Sequence, residues 1–299
     1  MSTRRKLVFG IGAVYILGFV VIGVLFPQAR VDNEEFQPQN EFKLDTWFAL
    51  PGPFDFNKGV LYLLITTALT IGTMMYISGR MKARPNRWQT AVEWLYSGMK
   101  DKLVKDNMDD DMARKWFPLV CTLFVFIWFS NMIGYLPLPV NTEHTFSLFG
   151  KDIPAFQIYA ATANVSIPLI LALIVFFAYN VEGVRAKGLW GYTKSVAVPP
   201  GVSGAILIMI VPLEILSQFL RLISLTVRLF ANLLAGHMLI QFMSGGLAVL
   251  LGLELLAWFT LPVGVAIFLF EVTLIATLQA FIFAILTCIY LGSAVSEAH

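Results

Sequence analysis

Hydrophobic and polar positions separate along this chain into long blocks. Apolar runs cover 7–26, 59–79, 116–138, 156–179 and two longer stretches, roughly 203–243 and 247–291. About 20 apolar residues cross the roughly 30 Å hydrocarbon layer of a bilayer as one helix. The pattern predicts an all-α, polytopic membrane protein built as a helical bundle, with a loop over 181–195.

The two C-terminal stretches are too long for a single upright crossing. About 40 helical residues reach about 60 Å, twice the hydrocarbon thickness. The bundle is therefore expected to end in two long helices that are strongly tilted or broken. Gly245-Gly246 and Pro262 are the candidate breakers.

A basic stretch over 80–115 contains a helical pattern of a different kind. Within NRWQTAVEWLYSGMKDKLV, apolar side chains recur at helical spacing with charged residues opposite: Trp88, Val92, Leu95 and Met99. This pattern is typical of an amphipathic helix lying on the membrane surface.

The N-terminus carries Arg4, Arg5 and Lys6 directly before the apolar run over 7–26. This order is typical of a signal anchor or a signal peptide. The following residues, PQAR, do not form a small-x-small cleavage site, which favours an anchor. The predicted domains are the anchor or signal at 1–26, an extracytoplasmic segment at 27–58, and a membrane domain at 59–299.

Composition and charge agree with this assignment. The chain is 58% hydrophobic and only 13% charged, whereas a soluble domain has about 25% charged residues. The N-terminus, 80–115 and 181–195 hold 3, 9 and 3 of the 21 basic residues. Positive charge marks the cytoplasmic side, so residues 80–115 and the C-terminus are predicted to be cytoplasmic, and 27–58 external.

Several cofactor classes are disfavoured by residue counts. The two cysteines, Cys121 and Cys288, lie in apolar segments, which argues against a disulfide framework or a thiolate metal site. Only one histidine lies in an apolar run, too few for a bis-histidine haem. No GxxxxGK[ST] motif occurs, so direct nucleotide binding is not expected, and nothing points to a metal, another cofactor or nucleic acid.

Polar and ionisable residues are concentrated in the last two segments. The first of these carries Glu214, Gln218, Arg221, Arg228, Asn232, His237 and Gln241, and the second carries Glu254, Glu271, Thr273, Thr277 and Gln279. At about 100° per residue, Arg221 lies about 20° from Arg228 around the helix, and His237 lies about 180° from it. Antiparallel packing of the two segments is expected to bring His237 near Glu271 and Arg228 near Gln279.

Simpler explanations exist for several of these residues. Intramembrane glutamine, asparagine and threonine often only join helices, Arg221 can neutralise Glu214, and His237 can be a satisfied core histidine. For Arg228 the structural explanation is weaker, because no acid lies within a helical turn of it. A fixed cation beside titratable groups inside a membrane indicates a proton or ion path.

The segment RLFANLLAGH and the later LQAFIFAILTCIYL resemble subunit a of the rotary F-type ATP synthase, the stator of its membrane sector. PLEILSQF and FSNMIGYLP extend the resemblance to roughly residues 60–295. It implies a non-catalytic proton-channel subunit without cofactors. The basic N-terminal anchor and the long external segment favour a bacterial inner membrane. The implied partners are the c-ring subunits, the peripheral-stalk b subunits and lipid.

The resemblance also implies roles for single residues. Arg228 matches the arginine that faces the rotating ring carboxylates, and Asn232 matches the asparagine one turn later. His237 stands at a position that is glutamate or histidine in relatives. Glu214 matches a half-channel glutamate, and Gln279 matches the glutamine that packs near the arginine. Gln218, Arg221 and Gln241 are possible supporting residues.

Two departures from the family pattern stand out. The acidic partner of the histidine usually lies seven residues before that glutamine, but Glu271 lies eight before Gln279. One extra residue turns a regular helix by about 100°, so pairing of Glu271 with His237 requires a bulge or a shift. Gly134 stands where one bacterial branch has aspartate in the outer-side channel.

Three other classes of function compete with this interpretation. A stand-alone secondary ion transporter would favour internal repeats, and none is evident. A quinone- or haem-binding redox subunit would need more histidines. A purely structural assembly subunit does not explain Arg228.

Overall fold

A computed structural model describes residues 44, 46–49, 55–80, 86–139, 145–148, 151–154, 156–197, 206–246 and 254–295. Over these residues the chain is predominantly helical, which confirms the predicted all-α membrane class. The predicted anchor or signal at 1–26 lies outside the described residues, as does most of the segment 27–58.

Seven α-helices are described. They are α1 Lys58–Arg80, α2 Arg87–Gly98, α3 Asp110–Gly134, α4 Ser166–Ala197, α5 Ile206–Gln241, α6 Glu254–Phe270 and α7 Ala276–Val295. Three π-helical segments continue or join them: Met99–Val104, Phe242–Gly246 and Glu271–Ile275. A short 3-10 turn, Ala161–Ala163, precedes α4.

Six short strands form three antiparallel pairs among the described residues. The strands are β1 Thr46–Ala49, β2 Asp55–Asn57, β3 Leu138–Pro139, β4 Thr145–Leu148, β5 Lys151–Pro154 and β6 Phe156–Gln157. The pairs are β1 with β2, β3 with β6, and β4 with β5. No sheet of more than two strands forms among the described residues.

Five segments within the described part of the chain are long and apolar enough to cross a membrane. They are Lys58–Ile77, Asp110–Gly134, Ser166–Val196, Leu207–Ser244 and Trp258–Val295. The predicted span at 59–79 therefore agrees closely with α1, and the two long C-terminal segments are also helical. The chain is a multi-pass membrane protein.

Asparagine side chains mark three helix starts. The Asn57 side chain accepts from the Val60 amide at 3.0 Å, before α1. Asn86 accepts from the Arg87 amide at the start of α2, and Asn164 accepts from the Ser166 amide at the start of α4. A side-chain oxygen at these positions satisfies an amide that the first helical turn leaves without a carbonyl partner.

The described residues cluster into two compact units. One contains the described parts of 137–159 and 234–275, and the other contains those of 46–136, 160–233 and 276–299. In the second unit, α7 packs against α3 and α4, and α3 also packs against α1.

Small residues on α7 explain its close packing. Ala276, Ala280, Ala284 and Cys288 recur every four residues, and each is fully buried. Residues four apart share one face of a helix, and small side chains there let neighbouring backbones approach. The apolar core of the second unit is built on this face.

Two predicted boundaries were wrong. The span expected at 156–179 begins as a helix only at Ser166, because β6 and the 3-10 turn occupy its first residues. The loop expected at 181–195 belongs to α4, which is interrupted at Gly188 with φ 73° and ψ 161°. A positive φ of this kind is readily adopted by glycine.

Tertiary contacts stabilise this polar end of α4. Lys115 Nζ lies 2.5 and 2.7 Å from the two carboxylate oxygens of Glu182, which is buried. Beyond Gly188, Tyr192 contacts Gly183 and donates a hydrogen bond to Asn180 Oδ1 at 3.0 Å. The polar composition of 181–195 indicated a loop. The helix was not predicted because the partners that stabilise it are distant in sequence.

The breaker predictions were partly wrong. Pro262 lies inside α6 and does not end it. The last long segment is instead interrupted at the π-helical segment Glu271–Ile275. Gly245-Gly246 lie in the π-helical segment Phe242–Gly246, and residues 247–253 after them lie outside the described residues.

The amphipathic helix is present as α2 and the π-helical segment Met99–Val104. Met99 is buried and Val92 is partly buried, as the pattern predicted, whereas Leu95 is exposed by 40%. The side chain of Trp88 lies outside the described residues.

Candidate functional site

Arg228 lies on α5, on a helix face that carries few packing partners. Its side chain is partly buried, and its Nη2 donates to Ser224 Oγ at 3.5 Å. Neither the Lys105–Asp101 ion pair nor the Lys115–Glu182 ion pair involves Arg228. Within the part of the chain that the structure describes, the guanidinium is therefore not neutralised by a carboxylate of its own chain.

The predicted proximity of Gln279 and Arg228 is confirmed. Gln279 Nε2 donates to the main-chain carbonyl of Arg228 at 2.7 Å, and Gln279 is 3% exposed. This contact holds the α5 backbone at the arginine and leaves the guanidinium itself directed elsewhere. Asn232, one turn further along α5, is exposed.

A second cluster forms around His237 in the other unit. His237 and Glu271 are both buried, and the Glu271 carboxyl group packs directly on Gly236. A Cβ added at Gly236 would lie 2.5 Å from Glu271 Oε2. The carboxyl group thus reaches the residue next to His237, as the predicted proximity of the two side chains requires.

Gly236 is a residue that sequence reasoning missed. The only signal was its position directly before the histidine, and that does not show which side chain needs the space. Glycine leaves room here for the Glu271 carboxyl group, which rests on the backbone of α5.

The extra residue between Glu271 and Gln279 lies where a π-helical turn occurs. Glu271 begins the π-helical segment Glu271–Ile275. Such a turn accommodates one residue more than an α-turn, and single π turns are frequent at functional sites. The local bulge that the eight-residue spacing required is present.

The supporting residues Gln218 and Arg221 contact aromatic side chains. Tyr179 donates its hydroxyl to Gln218 Oε1 at 3.0 Å. The Arg221 guanidinium lies 5.5 Å from the centroid of the Tyr290 ring, a distance at which a cation is attracted to the ring face.

The alternative that Arg221 simply neutralises Glu214 was wrong for the described structure. No ion pair joins these two residues among those that the described chain forms. Seven helical residues separate their backbones by about 10 Å along the axis, so a direct contact is difficult. Glu214 is partly buried.

The structure gives little support for a role of Gln241 or Glu254. Gln241 Oε1 is buried without a hydrogen-bond partner among the described residues. It therefore does not act through that atom as the interhelical bridge that the simpler explanation proposed. The side chain of Glu254 lies outside the described residues.

A buried polar network in the second unit was not predicted as part of the site. Asn131 Nδ2 donates to the Ala276 carbonyl at 3.2 Å, and Thr162 donates to Asn131 Oδ1 at 3.1 Å. Trp128 Nε1 donates to Thr277 at 3.2 Å. An asparagine inside an apolar span was the available signal, but its partners could not be read from the sequence.

Gly134 is fixed by packing. A Cβ at this position would lie 2.5 Å from the Cβ and 2.8 Å from the Cα of Ala160. An aspartate, as in one bacterial branch, does not fit between these backbones. Elsewhere in the described structure, no group of three or more His, Cys, Asp or Glu side chains is arranged to hold a metal ion.

The chain is similar to known proteins of one family. A family model described as ATP synthase A chain matches residues 60–292. The chain is 35% identical to ATP synthase subunit a of Bradyrhizobium diazoefficiens over 274 residues, covering 89% of this chain and 100% of the relative. It is 36% identical to the Rhodopseudomonas palustris BisB18 protein of that name and 34% identical to the Maricaulis maris one. Each match covers 82% of this chain and 90% of the relative.

Proposed function

The chain belongs to the ATP synthase A chain family, and on that premise we propose that it is the proton-translocating channel subunit of the enzyme's membrane sector. It is a non-catalytic subunit, and its sequence has no nucleotide-binding GxxxxGK[ST] motif. It contributes two half-channels that face a rotating ring of c subunits. Proton flow through them drives the rotation that powers ATP synthesis elsewhere in the complex.

One observation carries this proposal: Arg228 stays charged in an apolar segment, without a carboxylate partner among the described residues of its own chain. A buried cation without an anion is costly, and arginine does not deprotonate in proteins. A carboxylate on a neighbouring rotor supplies the missing charge. The same guanidinium repels protons and separates the two half-channels.

His237 and Glu271 are proposed to relay protons on one side of this barrier. Both are buried, and the Glu271 carboxyl group packs on Gly236, the residue directly before His237. An imidazole and a carboxyl group can each take up and release a proton. A pair of this kind passes a proton between water and a ring carboxylate.

The remaining residues are assigned positioning roles. Gln279 fixes the α5 backbone at Arg228 through its hydrogen bond to the carbonyl. Asn232 lies one turn from the arginine on an exposed position, where it can contact the passing ring. Glu214, Gln218 and Arg221 are proposed to line the other half-channel, supported by Gln241.

Energy for rotation comes from the field and the proton gradient. One charge moved across 100 mV is worth about 2.3 kcal/mol, and the pH difference adds to it. The proposed partners are c-ring subunits on the α5 face, peripheral-stalk b subunits and lipid. The proposed location is a bacterial inner membrane.

The test is ATP-driven proton pumping by inverted vesicles that carry the whole complex. Arg228→Ala should abolish pumping while the chain remains in the complex. Arg185→Ala removes an exposed arginine of α4 and serves as the matched control with near-normal pumping. If pumping survives Arg228→Ala in assembled complexes, a scaffold or an independent transporter describes the chain better.

A further inference from the structure

An apolar cavity of about 330 Å³ lies between α1, α2 and α3, away from the residues assigned above. Its walls come from both spanning helices and from the amphipathic helix. They include Met74 and Ile77 of α1, Val92 of α2, Met99 just beyond α2, and Phe117 and Val125 of α3. All these elements belong to one compact unit.

The amphipathic helix carries aromatic side chains beside the cavity. Trp94, on the outer face of α2, is 78% exposed, and Tyr96, which lines the cavity, packs edge-on against Phe117 with 4.8 Å between ring centroids. Aromatic side chains of this kind concentrate at the level of lipid headgroups. We therefore expect this end of the cavity to lie at headgroup depth.

The rim of the cavity is positively charged. Lys100 Nζ lies 5.8 Å from the centroid of the Tyr96 ring, which lines the cavity. Arg114 is exposed and lies four residues before the lining residue Pro118, so it sits one helical turn away on the same side of α3. Neither cation forms an ion pair among the described residues.

The neighbouring acids form no ion pair with these two cations among the described residues. Asp101 pairs with Lys105 at 3.1 Å, and Glu93 accepts a hydrogen bond from Gln89 at 2.7 Å. Asp110 and Asp111 lie within one helical turn before Arg114 but are not paired with it. An anion at the rim would thus meet two cations that keep their donors free of carboxylate partners, which suits a phosphate group.

The lining favours an alkyl chain over a protein segment. Among the lining side chains, only Tyr96, Cys121 and Thr122 carry hydroxyl or thiol groups, and the others are apolar. A protein segment would bring backbone N–H and C=O groups that need hydrogen-bond partners, whereas an alkyl chain brings none.

We propose that the cavity binds one acyl chain of an anionic phospholipid, with the lipid phosphate held between Lys100 and Arg114. The inference goes beyond the proposed channel function and does not depend on it. The bound lipid would join the amphipathic helix to the two spanning helices.

The test uses the intact complex in bilayers that contain a trace of phosphatidylglycerol carrying a diazirine in one acyl chain. After illumination, peptides of this chain are mapped by mass spectrometry. We expect crosslinks concentrated between Phe117 and Val125. A phosphatidylcholine probe with the same diazirine chain should give at least fivefold less labelling there.

Variants distinguish a specific lipid-binding site from general contact with the bilayer. Lys100→Gln with Arg114→Gln should lower phosphatidylglycerol labelling at least fivefold, and Val125→Trp should lower it by filling the cavity. Lys105→Gln, which removes a cation already paired with Asp101, is the matched control and should leave labelling unchanged. Should Val125→Trp fail to assemble, the charge variants still decide.

Three results would overturn the proposal. The first is equal labelling by the two headgroups, which means bulk lipid only. The second is labelling that is insensitive to Lys100→Gln and Arg114→Gln. The third is crosslinking of the 117–125 peptide to another polypeptide in place of lipid labelling, which would mean that a protein covers this face.

Discussion

The side-chain amide of Gln279 is hydrogen-bonded to the main-chain carbonyl of Arg228, with 2.7 Å between Nε2 and the oxygen. The glutamine thus acts on the backbone that carries the arginine and not on its charge. The guanidinium itself donates to Ser224 Oγ. The backbone and the side chain of Arg228 thus have separate contacts.

Removing this bond should disturb pumping without preventing assembly. In Gln279→Leu, the carbonyl loses a contact worth about 1 kcal/mol, and α5 can shift at the arginine. ATP-driven proton pumping by inverted vesicles is expected to fall several-fold. Gln89→Leu, which removes a glutamine of the amphipathic helix α2, is the control and should pump normally. Equal behaviour of the two variants would contradict a positioning role.

A methyl group at Gly236 should displace the buried Glu271 carboxyl group. In Gly236→Ala, the added Cβ would lie 2.5 Å from Glu271 Oε2, and overpacking of this kind costs about 1–3 kcal/mol. The amount of this chain in the purified complex should drop. Gly72→Ala, where nothing lies within 4 Å of the new Cβ, should assemble normally. Adding Glu271→Asp, which shortens the acid, should restore part of the assembly lost in Gly236→Ala. If the double variant shows no recovery, the clash with Glu271 is not the cause of the loss.

Glu271→Gln separates charge from packing at the same site. Glutamine has nearly the volume of glutamate, so the contact with Gly236 is retained while the titrating group is lost. Pumping should slow more than assembly declines, measured as dye quenching per unit of assembled complex. Normal pumping with normal assembly would remove Glu271 from the proton path.

Gly134→Ala should lower the yield of assembled complex. The new Cβ would meet both the Cβ and the Cα of Ala160, and a backbone atom cannot move aside as a flexible side chain can. Gly98→Ala, with open space around the new Cβ, is the control and should give a normal yield. Combining Gly134→Ala with Ala160→Gly should recover only part of the yield, because the contact with Cα remains. Full tolerance of the single variant would contradict the packing.

Much of the helical architecture could be predicted from the sequence, because a membrane span needs only length and hydrophobicity. The span at 59–79 needed almost no adjustment. The failures arose where polar residues have distant partners. The stretch 181–195 continues as α4 since Glu182 meets Lys115 and Tyr192 folds back on Gly183.

The candidate site was predictable to a similar degree. Ionisable residues in apolar runs stand out by residue type alone, and helical spacing put Gln279 beside Arg228. Spacing could not identify Gly236 or the Asn131–Thr162 pair, because their importance lies in what touches them. Nor could it foresee that Arg221 lies over the Tyr290 ring instead of beside Glu214.

The wider turn at Glu271–Ile275 also bears on how such chains can vary in length. In an unbroken α-helix, one inserted residue rotates every later side chain by about 100°, so each contact beyond the insertion would need a new partner. A π turn takes up the surplus within a few residues. Single-residue length differences can therefore accumulate at this point of the span, while the alanine face of α7 keeps its neighbours.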